Sequence, residues 1–398
     1  MPEPLPIEVQ ARPGQPLGMP PARFLREVWQ QRPLLVRGAF AGIAAPLTPE
    51  DLAGLACEDA ALSRLIVHDP AHDRWNVRTG PFDESVFASL PETHWTLLVQ
   101  DVDKWDGDVA ALLARFDFLP SWRIDDIMVS YAVDGGSVGA HVDQYDVFLI
   151  QGFGRRRWRI DDRADAPTAF RDDVELKLLR EFTPTRDWLL EAGDLLYLPP
   201  GVPHHGIAYG ACLTFSVGMR APALGELVAD FAASVAESLP ESRRYGDAGI
   251  RPAQRAGEIS GEVLEKIRLD MMTALAADSS FLRRWFGSFI TRYRAANEAV
   301  PRSPRLTAAA FARGLAGGDG LVRNPWSRMA WTALPRGAAE LHVAGEAHPC
   351  ERGLAERLCK TPPLDAAEIL AFDDAARALL LDLVNAGHLA IVRARRKR

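Results

Sequence analysis

A chain of 398 residues is longer than one hydrophobic core usually organises, so two or three domains are expected. Its charged fraction of 25% is that of an ordinary globular protein, and a net charge of −7 argues against direct nucleic-acid binding while suiting a basic protein partner. The N-terminus carries no signal-like pattern, and no apolar run reaches about eighteen residues, so a soluble cytoplasmic protein without membrane contact is expected. Cys57, Cys212, Cys350 and Cys359 are scattered without a CxxC pair, which fits reduced thiols. His348, Cys350 and Cys359 match no usual zinc spacing.

The first forty residues are proline-rich; within them Phe24–Trp29 reads as a short helix and Pro33–Gly38 as a strand bounded by a turn. Between Trp95 and Val217 the pattern is strand-rich: Trp95–Gln100, Ile127–Ala132, Val147–Gln151 and Leu213–Val217 are separated by Gly, Pro and Asp turns. No long helix intervenes between most of them, which predicts an antiparallel barrel or sandwich. After Pro222 apolar residues recur at helical spacing over Leu224–Leu239, Ile259–Ala276 and Phe281–Ala296, with breaks at Arg251-Pro252 and Pro301–Pro304. This helical part has too little mass for a large core of its own and is expected to pack on itself and on a second subunit. The last hundred residues suggest a small winged-helix-like module: a strand at Ala338–Val343, helices near 350–360 and 365–386, and a strand at Leu389–Val392. A solvated basic tail, Arg393–Arg398, closes the chain, with polyanion contact as the alternative.

The chemistry lies in His141-Val142-Asp143, followed sixty-one residues after Asp143 by His204 in the turn Leu198-Pro199-Pro200-Gly201-Val202-Pro203-His204. On a strand, residues i and i+2 share a face, so His141 and Asp143 can grip one metal ion together. Two imidazoles and one carboxylate are the facial ligand set of non-haem Fe(II), which leaves positions open for oxygen and a co-substrate. Gly135 and His141-x-Asp143 fit the first cupin motif except for its usual Glu; Gly193, Pro199-x-Gly201 and His204 fit the second. His205 competes with His204, but the motif spacing favours His204. Asp146 has the opposite strand parity to Asp143 and reads as a structural or solvent-facing acid. His68, His72, His94, His342, His348 and His388 lack metal-type spacing.

A second constellation follows the turn Gly152-Phe153-Gly154. Alternation puts Arg155, Arg157 and Arg159 on one face, and Arg156, Trp158 and Ile160 on the other. An arginine on the apolar face needs an anion, and a bidentate guanidinium suits the distal carboxylate of a dicarboxylate. A buried structural ion pair is the alternative.

His141-Val-Asp143, Arg156 fifteen residues after His141, and Tyr197-Leu-Pro-Pro-Gly-Val-Pro-His204 together resemble the JmjC-type cupins of the ribosomal oxygenases. The similarity is greatest to their bacterial branch, whose members hydroxylate an arginine of the large-subunit ribosomal protein L-sixteen. Gly135–Phe148 and Phe215–Pro222 are the most distinctive stretches, and the three-part layout extends the resemblance over nearly the whole chain. It implies an α+β fold: a double-stranded β-helix (cupin/JmjC) barrel in 1–222, with its core in about 90–222, a helical dimerisation domain in 223–300, and a winged-helix-like domain in 301–398.

The resemblance further implies that His141, Asp143 and His204 bind Fe(II) and carry catalysis with O2. Arg156 would hold 2-oxoglutarate, with Ser130 and Thr214 assisting from flanking strands, although relatives often carry Asn where Thr214 stands. Asp134 would meet a substrate guanidinium, or stabilise its own turn as an Asx side chain. The implied reaction is hydroxylation of a ribosomal protein client by a homodimeric enzyme, coupled to oxidative decarboxylation of 2-oxoglutarate. The alternatives are the same chemistry on histidine or lysine of another protein or on a small molecule, and a non-enzymatic binder. The intact triad with Arg156 argues against the last.

Overall fold

The computed structural model describes every residue except 1–6, 41, 43, 44, 253, 254, 277, 294–296, 361, 362 and 395–398. Arg395–Arg398 of the expected basic tail therefore lie outside the described residues. The chain divides into two compact units, Met1–Ala221 and Pro222–Arg398, so the helical segment 223–300 falls within the second.

The first unit is built on strands β1 (Glu8–Gln10), β2 (Leu34–Arg37), β3 (Ser63–Asp69), β4 (Arg74–Thr79), β5 (Trp95–Val99), β6 (Ile124–Ala132), β7 (Val147–Ile160), β8 (Arg186–Leu190), β9 (Leu195–Leu198) and β10 (His204–Met219). Helices α1 (Pro21–Glu27), α2 (Pro49–Leu55), α3 (Ser85–Ala88), α4 (Val102–Trp105) and α5 (Gly107–Ala111) lie between them in the chain. The strands form one sheet in the order β1-β2-β9-β7-β10-β6-β5-β3-β4, with β8 added on β7.

The long strands β7 and β10 pair antiparallel over most of their length, with a register shift between Tyr209 and Leu213. Gly154 and Gly210 there adopt φ of 63° and 74°, a left-handed backbone that favours glycine. The break lets each half of β7 take its own neighbour: Val147–Ile150 pairs with β9, whereas Arg156–Ile160 pairs with β8. One sheet thus curls back on itself, as a double-stranded β-helix does.

Both faces of the curled sheet are buried. Ile127, Val129, Phe148, Ile150, Phe215 and Val217 point into a core shared with the N-terminal segment, where Phe24 sits edge-on to Tyr197 at 5.1 Å. The alternate residues Val147, Leu149, Trp158 and Ile160 join Leu35, Leu190, Leu196 and Leu198 in a second cluster. A strand buried on both faces reads as a nearly continuous apolar run, which is what Val147–Ile150 is. Asp146 is fully buried and accepts hydrogen bonds from Tyr197 Oη (2.6 Å), Gln30 Nε2 (2.9 Å) and Arg123 Nη2 (3.0 Å), tying β9 and the end of the α1 region to the loop that precedes β7.

The second unit begins with α6 (Leu224–Ser238), α7 (Gly261–Leu275) and α8 (Ser279–Arg292). It continues through α9 (Ala308–Ala316), β11 (Gly320–Arg323), β12 (Met329–Ala333), β13 (Ala338–Val343), β14 (Glu346–Glu351), α10 (Arg352–Leu358), α11 (Ala366–Ala371), α12 (Asp374–Asn385) and β15 (Leu389–Val392). Strands β12, β13 and β14 form one small sheet, and β11 pairs with β15. Phe311, Leu341, Leu354, Ile369, Leu380 and Leu383 are among the core residues. The helix expected over 365–386 is two helices, because Asp373 caps a fresh start by accepting from Ala376 N. Residues 294–296 of the third expected helix lie outside the described residues. In α7 no residue is buried, and Leu264, Leu269, Met271 and Met272 are exposed. Among the described residues, no helix is long and apolar enough to cross a membrane.

Candidate active site

Chain direction brings the two halves of the first motif pair to one point. His204 opens β10 after the Pro199-Pro200-Gly201 turn, where Gly201 has φ of 79°. It faces inward and is 2% exposed. His141 and His204 form an isolated antiparallel bridge, each backbone N–H donating to the other's carbonyl at 3.0 and 2.9 Å. Gly201 N donates to Asp143 O at 2.7 Å, which pins the end of the segment. The expectation of a regular strand through His141–Asp143 is corrected here: beyond that single bridge, Val142 and Asp143 lie in loop. Their convergence comes from the backbone clamps on the His204 turn rather than from strand parity.

The ligand atoms of His141, Asp143 and His204 all lie within 4.8 Å of one another. Asp143 Oδ2 stands 3.9 Å from His141 Nε2 and 3.7 Å from His204 Nε2. Both imidazoles have Nδ1 at a carbonyl, His141 at Gly139 O (3.0 Å) and His204 at Val202 O (2.9 Å). A carbonyl only accepts, so each Nδ1 carries the proton and each Nε2 presents its lone pair, the tautomer a metal ligand needs. Burial, and then the neighbouring His141, hold the His204 imidazole well below its usual value and so keep it neutral.

The competing residues separate cleanly. His205 lies on the other side of β10, its Nε2 at 3.0 Å from Ser137 Oγ, and burial pushes its pKa down to about 4. Asp146 is the buried structural acid already described. His68 stacks on the Trp75 ring at 3.9 Å, His72 pairs with Asp69, and His388 meets Ser327. Among the described residues no other group of three His, Cys, Asp or Glu side chains is placed to hold an ion.

Arg156 is 6% exposed, and its exposed neighbours Arg155 and Arg157 point the other way, as alternation requires. Its Nη1 donates to Ser130 Oγ at 3.1 Å, while its Nε is buried without a partner. Among the described residues no carboxylate lies within ion-pair distance of it, which disfavours the structural ion pair. An orphaned buried donor costs about 1–3 kcal/mol, so this side-on edge of the guanidinium is suited to an acceptor-only carboxylate. Thr214 is cross-strand from both Ser130 and Gln151, and its hydroxyl donates to Gln151 Oε1 at 3.1 Å. Gln151 was not legible as part of this row, because it precedes the glycine turn. Asp134 is exposed and accepts from Gly210 N at 2.8 Å, an anchor for the β10 irregularity.

One further acid and one phenol shape the field. Burial and then Asp101 raise Asp126 to about 7, and burial and then Asp143 push the Tyr145 hydroxyl up. The loop leading to His141 is packed from outside. A Cβ on Gly139 (φ 82°) would meet Leu178 Cδ2 at 2.5 Å and Trp75 at 3.3 Å, so the carbonyl that orients His141 belongs to a position restricted to glycine.

A curled antiparallel sheet with two histidines and a carboxylate at its mouth, followed by a small helix-and-sheet module, defines a JmjC-type cupin joined to a winged helix. Residues 111–227 match the JmjC domain family, and residues 274–390 match the ROXA-like winged helix. The chain is 36% identical over 372 residues to the ribosomal protein uL16 3-hydroxylase of Escherichia coli, a match covering 92% of this chain and 96% of that protein. It is also 36% identical over 266 residues to a probable ribosomal oxygenase of Haemophilus influenzae, covering 66% and 65%. The crystal structure of E. coli ycfD superposes with a TM-score of 0.83 at 34% identity, covering 94% of this chain and 99% of that one. The structure of the ribosomal oxygenase YcfD in complex with cobalt and 2-oxoglutarate gives 0.81 at 35% identity over the same shares. This chain belongs to the ribosomal oxygenase family of JmjC-domain proteins.

Proposed function

We propose that this protein is an Fe(II)- and 2-oxoglutarate-dependent oxygenase that hydroxylates an arginine side chain of a large-subunit ribosomal protein. The observation that carries the reading is the meeting of His141, Asp143 and His204 within 4.8 Å in a barrel that also holds the buried Arg156, whose Nε has no hydrogen-bond partner. The donor set fits the group: two neutral nitrogens and one carboxylate oxygen on one side of the ion leave the other side for co-substrate and oxygen. When bound, iron with O2 and 2-oxoglutarate supplies the oxidant, giving hydroxylated side chain, succinate and carbon dioxide.

The protein's own part is positioning. Gly139 O and Val202 O hold the two Nδ1 protons, so both Nε2 lone pairs face the ion. Arg156, oriented by Ser130, would take the distal carboxylate, and Thr214 would assist only by turning its hydroxyl away from Gln151. Asp134 would receive the client guanidinium with the carboxylate oxygen that Gly210 N leaves free. Trp158, whose ring lies 5.8 Å from that of His204, and the buried cluster it joins with Leu149, Leu196 and Leu198 would keep water from the reacting carbon. We further propose that 223–300 forms a homodimer contact, for which the exposed apolar residues of α7 are the support, and that the enzyme works in the cytoplasm beside its client.

Incubation with Fe(II), 2-oxoglutarate and the separated large-subunit ribosomal proteins tests the reading. A mass gain of one oxygen, mapped to an arginine, is expected. Oxygen found on histidine or lysine instead, or only on small molecules, selects the alternative substrate class.

A further inference from the structure

We propose that Trp158 is a co-substrate ligand: its indole N–H donates to the distal carboxylate of the bound 2-oxo dicarboxylate, beside the unpartnered Nε of Arg156. The inference rests on the proposed 2-oxoglutarate chemistry and deepens it.

Three observations carry it. Trp158 is 5% exposed, and its Nε1 is a buried donor without a partner, as is Arg156 Nε. The Arg156 guanidinium carbon lies over the indole at 5.8 Å, and the His204 ring is 5.8 Å from it, so the indole neighbours both the anchor and the ligand triad. Its place is fixed by β10: a Cβ on Gly206 would come within 2.7–2.9 Å of the indole's benzo carbons Cη2, Cζ3 and Cζ2. Gly206 thus reserves the space that seats the ring.

The chemistry selects the ligand. Indole N–H donates and cannot accept, and the guanidinium likewise only donates. Arg156 Nη1 is already engaged with Ser130, which leaves the Nε edge of the fork for a ligand. Two orphaned donors of the same polarity, two residues apart on one face of β7, call for a group that is all acceptor. A carboxylate has about four acceptor sites and can take both.

The test uses full-length protein loaded with Zn(II), which binds the triad without turnover, and calorimetric titration with 2-oxoglutarate or with 2-oxobutyrate, which lacks the distal carboxylate. Trp158→Phe keeps an aromatic ring and removes the N–H. The expected result is about tenfold weaker binding of 2-oxoglutarate and no more than about twofold change for 2-oxobutyrate. An indole 1H–15N resonance of the wild type, assigned by its loss in Trp158→Phe, should move on adding 2-oxoglutarate and stay still with 2-oxobutyrate. If that variant folds poorly, loss of the same resonance in Trp158→Tyr supplies the assignment. Equal penalties for both ligands, or an unmoved resonance, overturn the role of Trp158. If Arg156→Met loses 2-oxoglutarate affinity in the same assay, the broader reading stands without it; if the wild type binds no 2-oxoglutarate, both fall.

Discussion

Arg156→Met should make the ligand-free protein more stable and the ligand-bound protein less so. Methionine keeps most of the side-chain packing while removing a buried cation that has no carboxylate partner among the described residues and an orphaned Nε. Relief of one orphaned donor is worth about 1–3 kcal/mol, offset by whatever the Ser130 bond contributes, about 1 kcal/mol. For a unit of this size each kcal/mol moves Tm by about 2–4 °C, so a net gain of up to about 2 kcal/mol gives a rise of up to about 8 °C without ligand. With 2-oxoglutarate at one hundred times the wild-type Kd, ligand binding stabilises the wild type by about 2.7 kcal/mol. Loss of charge-assisted hydrogen bonds worth about 1.5–3 kcal/mol each would raise the variant's Kd about a hundredfold and cut that gain to about 0.4 kcal/mol. Differential scanning fluorimetry of Zn(II)-loaded protein, with and without 2-oxoglutarate, reads both signs. A variant that is destabilised without ligand and still shows the full ligand shift would refute the assignment of Arg156 as an anion site.

Other consequences can be checked separately. Asp126 has a folded pKa of about 7, raised by burial and then by Asp101, so the unfolded carboxylate ionises first and stability falls as pH rises from about 4 to about 7. Asp126→Asn should remove that slope, matching the wild type below pH 4 and exceeding it at pH 8 in urea melts. Asp146→Ala strips three donors of their buried acceptor, one of them the Arg123 guanidinium, and should cost about 3–5 kcal/mol, seen as a lower urea midpoint with unchanged slope. In metal titrations His204→Ala should lose the ion, whereas His205→Ala should bind it within a few-fold of wild type. Leu269→Asp on α7 should convert the proposed dimer to monomer by light scattering; a wild type already monomeric at assay concentration would remove the dimer from the account.

The sequence carried the site further than it carried the strands. Gly193, Pro199, Gly201 and His204 encode a turn whose geometry is local, so the inward histidine could be read from spacing alone. Arg156 was legible because alternation on β7 is undisturbed beyond Gly154, and burial follows it residue by residue. Strand spacing pairs His141 with Asp143, but long-range backbone bonds from His204 and Gly201 set that loop, and no single segment displays them. The β3–β4 hairpin went unread: its residues are mostly charged or half-buried on β4, and its tip is held by an Asp69–Arg74 pair within the hairpin and by Arg171, about a hundred residues further on, which pairs with Asp73. Ser130, Thr214 and Gln151 form their row only through cross-strand register, which no single segment displays. The orphaned nitrogen of Trp158 likewise became visible only with the ring seated under Gly206.

The most direct measurement is the origin of the oxygen atom. Wild-type protein, Fe(II) and 2-oxoglutarate are incubated with the separated large-subunit ribosomal proteins under heavy-isotope dioxygen in ordinary water, and product peptides are weighed. The heavy atom should appear on an arginine of one client, with one succinate formed per hydroxyl and none in His141→Ala. A product whose oxygen comes from water, or one formed equally well without 2-oxoglutarate, would contradict the account.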